Sequence, residues 1–109
     1  MITCLIDYEI DPFAQEAFAQ YARNWGQIIP RCGADLIGYF APHEGSLTRA
    51  VGIYTLPSLA AYEAYRNRLK TDEAAQANFA FAKEQKFIRR EDRMHLKLAS
   101  APHADFVAP

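Results

Sequence analysis

A chain of 109 residues, 50% hydrophobic and 13% aromatic, carries enough apolar material for one core and too little for two. The same composition excludes disorder over most of its length. Twelve basic against thirteen acidic side chains leave a net charge of −1, which argues against a general nucleic-acid binder or an anionic-membrane binder, since both need a basic surface.

Residues 2–9, Ile-Thr-Cys-Leu-Ile-Asp-Tyr-Glu, read as a strand. They are rich in β-branched and aromatic types, and the nearly continuous apolar run before Asp7 suits a strand covered on both faces. Asp11-Pro12 opens a helix, with Asp11 accepting from free backbone N–H groups and Pro12 tolerated at the first helical position. Phe13, Ala17, Tyr21, Trp25 and Ile28 recur at helical spacing, with Phe18, Ala22 and Ile29 beside them, and make a wide apolar stripe. Pro30 crowds the carbonyl four residues before it, so a late kink is expected, and Gly33 supplies a left-handed stop.

Residues 35–41 form the second strand and residues 47–56 the third. The short loop between them, Pro42-His43-Glu44-Gly45-Ser46, implies an antiparallel hairpin. Ser58 caps the next helix, lined by Leu59, Tyr62, Tyr65, Arg66 and Leu69. Thr71-Asp72-Glu73 opens a further helix with an inner stripe of Ala75, Phe79 and Ala82. Residues 87–98 are the last strand, and residues 99–109 form a loose tail outside the domain of residues 1–98.

The order β-α-β-β-α(α)-β is the ferredoxin-like, split βαβ arrangement of the α+β class: an antiparallel sheet with helices on one face. One helical layer covers one side only. The opposite side would then be a large apolar patch, which soluble monomers rarely leave open, and a second copy packed sheet to sheet is the economical cover.

Two loop residues, His43 and Glu44, could act as a proton shuttle and its orienting or substrate-binding partner; the plain alternative is a solvated hairpin turn. Tyr8, Tyr39 and Tyr54 come from three strands, and Trp25 and Arg66 from the helices that pack on them. Aromatic walls with a few polar groups suit a small-molecule site, and Arg66 could hold a carboxylate or phenolate by paired hydrogen bonds. The same set also describes an ordinary aromatic core. Within the charge run of residues 89–93, alternation puts Arg89, Glu91, Arg93 and His95 on one face and Arg90, Asp92, Met94, Leu96 and Leu98 on the other. A solvated edge strand is the simplest reading and cross-subunit ion pairing the sharper one.

His95 and His103 lack companions at metal spacing, and no glycine-rich phosphate loop or Ser-His-Asp set is visible, so no metal and no cofactor is assigned. No apolar run approaches the roughly 20 residues of a spanning helix, and the first seven residues lack the basic start of a secretory signal. Cys4 and Cys32 fit two reduced, buried thiols in a cytoplasmic protein.

Gly38-Tyr39-Phe40, Glu44-Gly45-Ser46-Leu47, Ile53-Tyr54, Ser58, Arg66 and Asp72 form a set. Together they resemble the NIPSNAP family of the dimeric α+β barrel superfamily. Thr48 and Tyr54 depart from the Asn and Trp frequent in that family. The resemblance implies a homodimer whose two sheets close a barrel. The expectation is a homodimer binding a small apolar or aromatic molecule between sheet and helices. Two alternatives stand beside it. One is a cofactor-independent monooxygenase or isomerase that uses His43 or a tyrosine for proton transfer. The other is a purely structural dimerisation module.

Overall fold

In the computed structural model, which describes residues 1–109, strand β1 (Ile2–Ile10) turns Cys4, Ile6, Tyr8 and Ile10 into the interior. By alternation Thr3, Leu5, Asp7 and Glu9 face the other way. The outward side of β1 is therefore apolar only in its first half, because acids take over beyond Leu5.

Helix α1 (Gln15–Arg31) begins later than Asp11-Pro12 suggests. Asp11 Oδ1 accepts from the Phe13 N–H at 2.9 Å and the Asp11 carbonyl from the Ala14 N–H at 3.0 Å, closing a separate turn. Phe13 sits in that turn and is 95% exposed, so it does not head the apolar stripe. The buried face is Phe18, Tyr21, Trp25, Ile28 and Ile29. Pro30 lies in the last turn and the helix continues one residue past it. Gly33, at φ +104°, then ends it.

Strands β2 (Asp35–Phe40) and β3 (Arg49–Leu56) form the expected hairpin. Helix α2 (Leu59–Thr71) is capped by Ser58, whose Oγ accepts from the Ala61 N–H at 3.1 Å. Helix α3 (Glu73–Gln85) is capped by Asp72, which accepts from the Ala75 N–H at 2.9 Å. The same carboxylate receives Arg31 Nη2 at 2.7 and 2.8 Å, so one side chain ties the end of α1 to the start of α3. Strand β4 (Ile88–Leu96) completes the order β2-β3-β1-β4, with every neighbouring pair antiparallel. No helix or strand follows Leu96, and residues 97–109 are exposed. No helix is long and apolar enough to cross a membrane.

The core lies between the sheet and the helices, with Tyr65 and Leu69 of α2 joining the α1 face, and aromatic rings fill much of it. Tyr8 meets Phe18 edge-on at 5.2 Å, Phe87 meets Tyr21 at 5.5 Å, and Trp25 meets Phe79 at 5.0 Å. Cys4 and Cys32 are both buried and unpaired.

Register sorts the open side of the sheet into two halves. Gly38, Ile53, Leu5 and Met94 make one row across it, and Thr55, Thr3 and Leu96 the next. Further along, Asp7 stands opposite Asp92, a like-charge pair relieved by Arg49, whose Nη2 donates to both Asp7 oxygens at 2.7 Å, and by Arg90 on Asp92 at 3.1 Å. Ile37, Phe40, Met94 and Leu96 stay between 43% and 58% exposed on this side.

Phe18 is fully buried, so Phe18→Ala is expected to lower unfolding free energy by about 3–5 kcal/mol in urea denaturation. The Arg31 hydrogen bonds and the Ala75 N–H hold the Asp72 carboxyl below its usual range. A lowered carboxyl pKa favours the folded state above the unfolded value and loses that advantage as acid protonates it. Asp72→Ala is therefore expected to lower Tm at neutral pH, with the gap to wild type closing as pH falls through 3.8 and below.

Candidate functional site

Tyr8 from β1, Tyr54 from β3 and Tyr39 from β2 project from the covered face of the sheet toward Trp25 of α1 and Arg66 of α2. All five line one cleft, completed by Ile6, Tyr21, Ile29, Tyr65, Leu69, Phe79 and Arg93. The Tyr8 and Tyr39 hydroxyls hydrogen-bond to each other at 3.0 Å. Tyr39 reaches this position by lying across Gly52 of β3, where a Cβ would stand 2.8 Å from its ring. Tyr54 packs on Tyr65 at 5.2 Å. The cleft leaves about 10 Å³ for a water's centre, room for one water.

Burial raises the pKa of Tyr8, Tyr39, Tyr54 and Tyr65 far above the ordinary tyrosine value, and it pushes Tyr21 up to about 12. These phenols are neutral hydrogen-bonding groups at physiological pH. Burial also raises the Cys4 thiol beneath them, so no thiolate is poised there.

Two buried nitrogens on the cleft wall have no hydrogen-bond partner: Trp25 Nε1 and Arg93 Nε. The indole N–H influences the Tyr21 hydroxyl without reaching hydrogen-bond geometry. Arg93 donates through Nη2 to Glu91 at 3.0 Å. Arg66 is half-buried and has no carboxylate partner.

Arg93 is the site residue that sequence reasoning passed over by treating the 89–93 run as a solvated strand. The signal was present in the alternation: Arg93 shares a face with His95 and stands opposite buried Ile6, so it points under the helices. His43 and Glu44 are both exposed on the β2–β3 connection and line neither this cleft nor the second hollow. That second hollow is a groove of about 340 Å³ between α1 and α3, lined by Asn24, Gln27, Arg31 and Asn78 among others.

The sheet order and single helical layer define a ferredoxin-like α+β protein of the kind found among antibiotic-biosynthesis-monooxygenase-type folds. The NIPSNAP family profile matches residues 3–102, and the chain belongs to that family. A NIPSNAP family protein of unknown function from Agrobacterium tumefaciens superposes with a TM-score of 0.80 at 22% identity, covering 94% of this chain and 92% of the other. An uncharacterised NIPSNAP domain protein from Burkholderia xenovorans gives 0.75 at 22% identity, over 96% and 100% of the two chains. A monooxygenase-type protein from Nitrosomonas europaea gives 0.71 at 13% identity, over 92% and 100%. No curated protein matches the chain.

Because the unfolded chain ionises its tyrosines near pH 10 and the folded cleft does not, stability is expected to fall as pH rises past 10. Tyrosine absorbance should show no phenolate from Tyr8, Tyr39, Tyr54 or Tyr65 until the protein unfolds. Phenolate signal from these residues in the native protein at pH 10 would contradict the burial assigned to them.

Proposed function

We propose that this NIPSNAP protein works as a homodimer that binds a small apolar or aromatic molecule in the cleft between sheet and helices of each protomer. The observation that carries the binding reading is the cleft wall itself. Ten of its twelve residues are hydrophobic, yet two buried nitrogens on it lack partners, and the native structures of proteins satisfy almost all such groups. A wall that is apolar with a few convergent polar groups is what small-molecule sites are made of.

Dimerisation is supported by the open side of the sheet. Ile37, Phe40, Met94 and Leu96 are exposed there beside Leu5, Val51 and Ile53, an apolar area on one side of an otherwise charged surface. A second copy presenting the same face would cover it. Two reduced, buried cysteines accord with a cytoplasmic setting.

The lining supports binding over turnover. It holds no histidine, carboxylate or thiol, and its phenols keep their protons. The monooxygenase or isomerase alternative would use a protonated tyrosine of this wall as proton donor, or His43, which would have to meet the substrate from outside the wall.

Sedimentation at micromolar concentration should report the mass of two chains. Met94→Glu and Ile37→Glu, both at side chains exposed in the single protomer, should each give the mass of one chain with the helical circular dichroism intact. A wild-type protein that sediments as one chain would remove the dimer. Native mass spectrometry of gently purified protein should find a small molecule bound, or a ligand screen should raise Tm; failure of both would remove the binding reading.

A further inference from the structure

We propose that the cleft binds one resident water molecule, which accepts from Trp25 Nε1 of α1 and from Arg93 Nε of β4 and so ties the helical layer to the edge strand. The inference does not depend on a small molecule binding in the cleft. It names the occupant of the space that the cleft leaves between its own side chains.

Size and polarity point to the same occupant. About 10 Å³ for a water's centre is what one water needs and far less than an organic group needs. Two residues lining that space, Trp25 and Arg93, each carry a buried nitrogen without a hydrogen-bond partner. An indole N–H and a guanidinium N–H only donate, so neither can satisfy the other, and the partner they share must be an acceptor. The fold holds both in place. Trp25 is 3% exposed, and its ring is wedged against Tyr21 at 5.6 Å and Phe79 at 5.0 Å, so the indole N–H cannot swing out to solvent. Arg93 stands opposite Ile6 on the inner face of β4. Glu91 fixes its outer end through Nη2 at 3.0 Å and leaves Nε buried.

A water meets this inventory in full. Its two lone pairs accept from the two N–H groups, and its two protons find acceptors among the phenol oxygens of the wall. The Tyr8 and Tyr39 hydroxyls share one proton across 3.0 Å, and each oxygen keeps a lone pair to offer. No carboxylate belongs to the lining, so no side chain of the wall can take both nitrogens instead. An anion matches less well. Glu91 already supplies the counter-charge of Arg93, and an anion cannot donate to the phenol oxygens. Polar sites of this size with two to four partners hold water, and a bridging water is nearly as good as a direct hydrogen bond. Strand β4 pairs with β1 alone, so a bridge to α1 gives this edge a second hold on the fold.

Trp25 is the single tryptophan of the chain, so its indole N–H gives one unambiguous signal in nitrogen-labelled full-length protein. Nuclear magnetic resonance should show a cross-peak between that proton and the water line, with the sign of contacts inside the rigid protein. Arg93→Met should abolish the cross-peak while the indole signal itself remains. A high-resolution crystal structure of the wild type should show a single-atom peak within about 2.7–3.2 Å of both nitrogens. A visible indole proton with no water cross-peak would overturn the inference. So would a peak on one nitrogen only, or an undiminished cross-peak in Arg93→Met, since either removes the bridge. An anomalous signal at the site in crystals grown with bromide would replace the water by a halide. Density larger than one atom would overturn the water and favour the small-molecule reading, whereas a confirmed water leaves that reading to the ligand screen. The wild-type crystal decides the matter even where Arg93→Met fails to fold.

Discussion

Three helices cannot cover two faces of a four-stranded sheet. In this chain every helix lies on the same side, because each connection that carries one, β1 to β2 and β3 to β4, crosses that side. The constraint splits each strand into an inner and an outer set of residues. It places Cys4, Ile6 and Tyr8 beneath the helices and leaves Thr3, Leu5 and Asp7 for whatever meets the other face. Both the cleft and the open apolar area are consequences of that one-sided coverage. The cleft lies where helices and sheet are joined by bulky rings, and the open area lies where no helix reaches.

The cleft is a product of imperfect filling by large, stiff side chains. Tyr8, Tyr39, Tyr54 and Tyr65 meet from three strands and one helix. Rings of that size interdigitate with gaps, where smaller aliphatic side chains would close up. Gly52 permits one of these rings to lie flat across β3, so the absence of a side chain in one strand positions a side chain from the next. Arg93 enters from the inner face of β4, an edge strand, with its side chain about three-quarters buried. The result is a wall both apolar and cationic, built around phenols that burial keeps neutral.

Legibility in the sequence varied by the range of the interaction involved. The seven elements, their order and the ferredoxin-like topology follow from local periodicity and caps. Ser58 and Asp72 act at the helix starts where their spacing put them, and Gly33 stops α1 with positive φ. The start of α1 was misplaced because Asp11 can serve either as a helix cap or as the head of a separate turn, and only the path of the following residues distinguishes the two. Five aromatic and cationic residues drawn from separate elements do meet in one cleft, since alternation and helical spacing already assign them to inner faces. His43 and Glu44 are apart from them because a loop has no periodicity to aim its side chains.

The amino-acid sequence alone determined the class of fold and the inner face of each element, because those depend on repeats of 2 and 3.6 residues that are written into neighbouring positions. The tertiary structure alone decided that Arg93 and Arg66 line the same cleft. It alone decided that Trp25 keeps an N–H unpaired by any side chain and that the cleft has room for one water. Such facts depend on strand register and on how rings from distant segments fail to fill a shared space, which no local pattern of residues records.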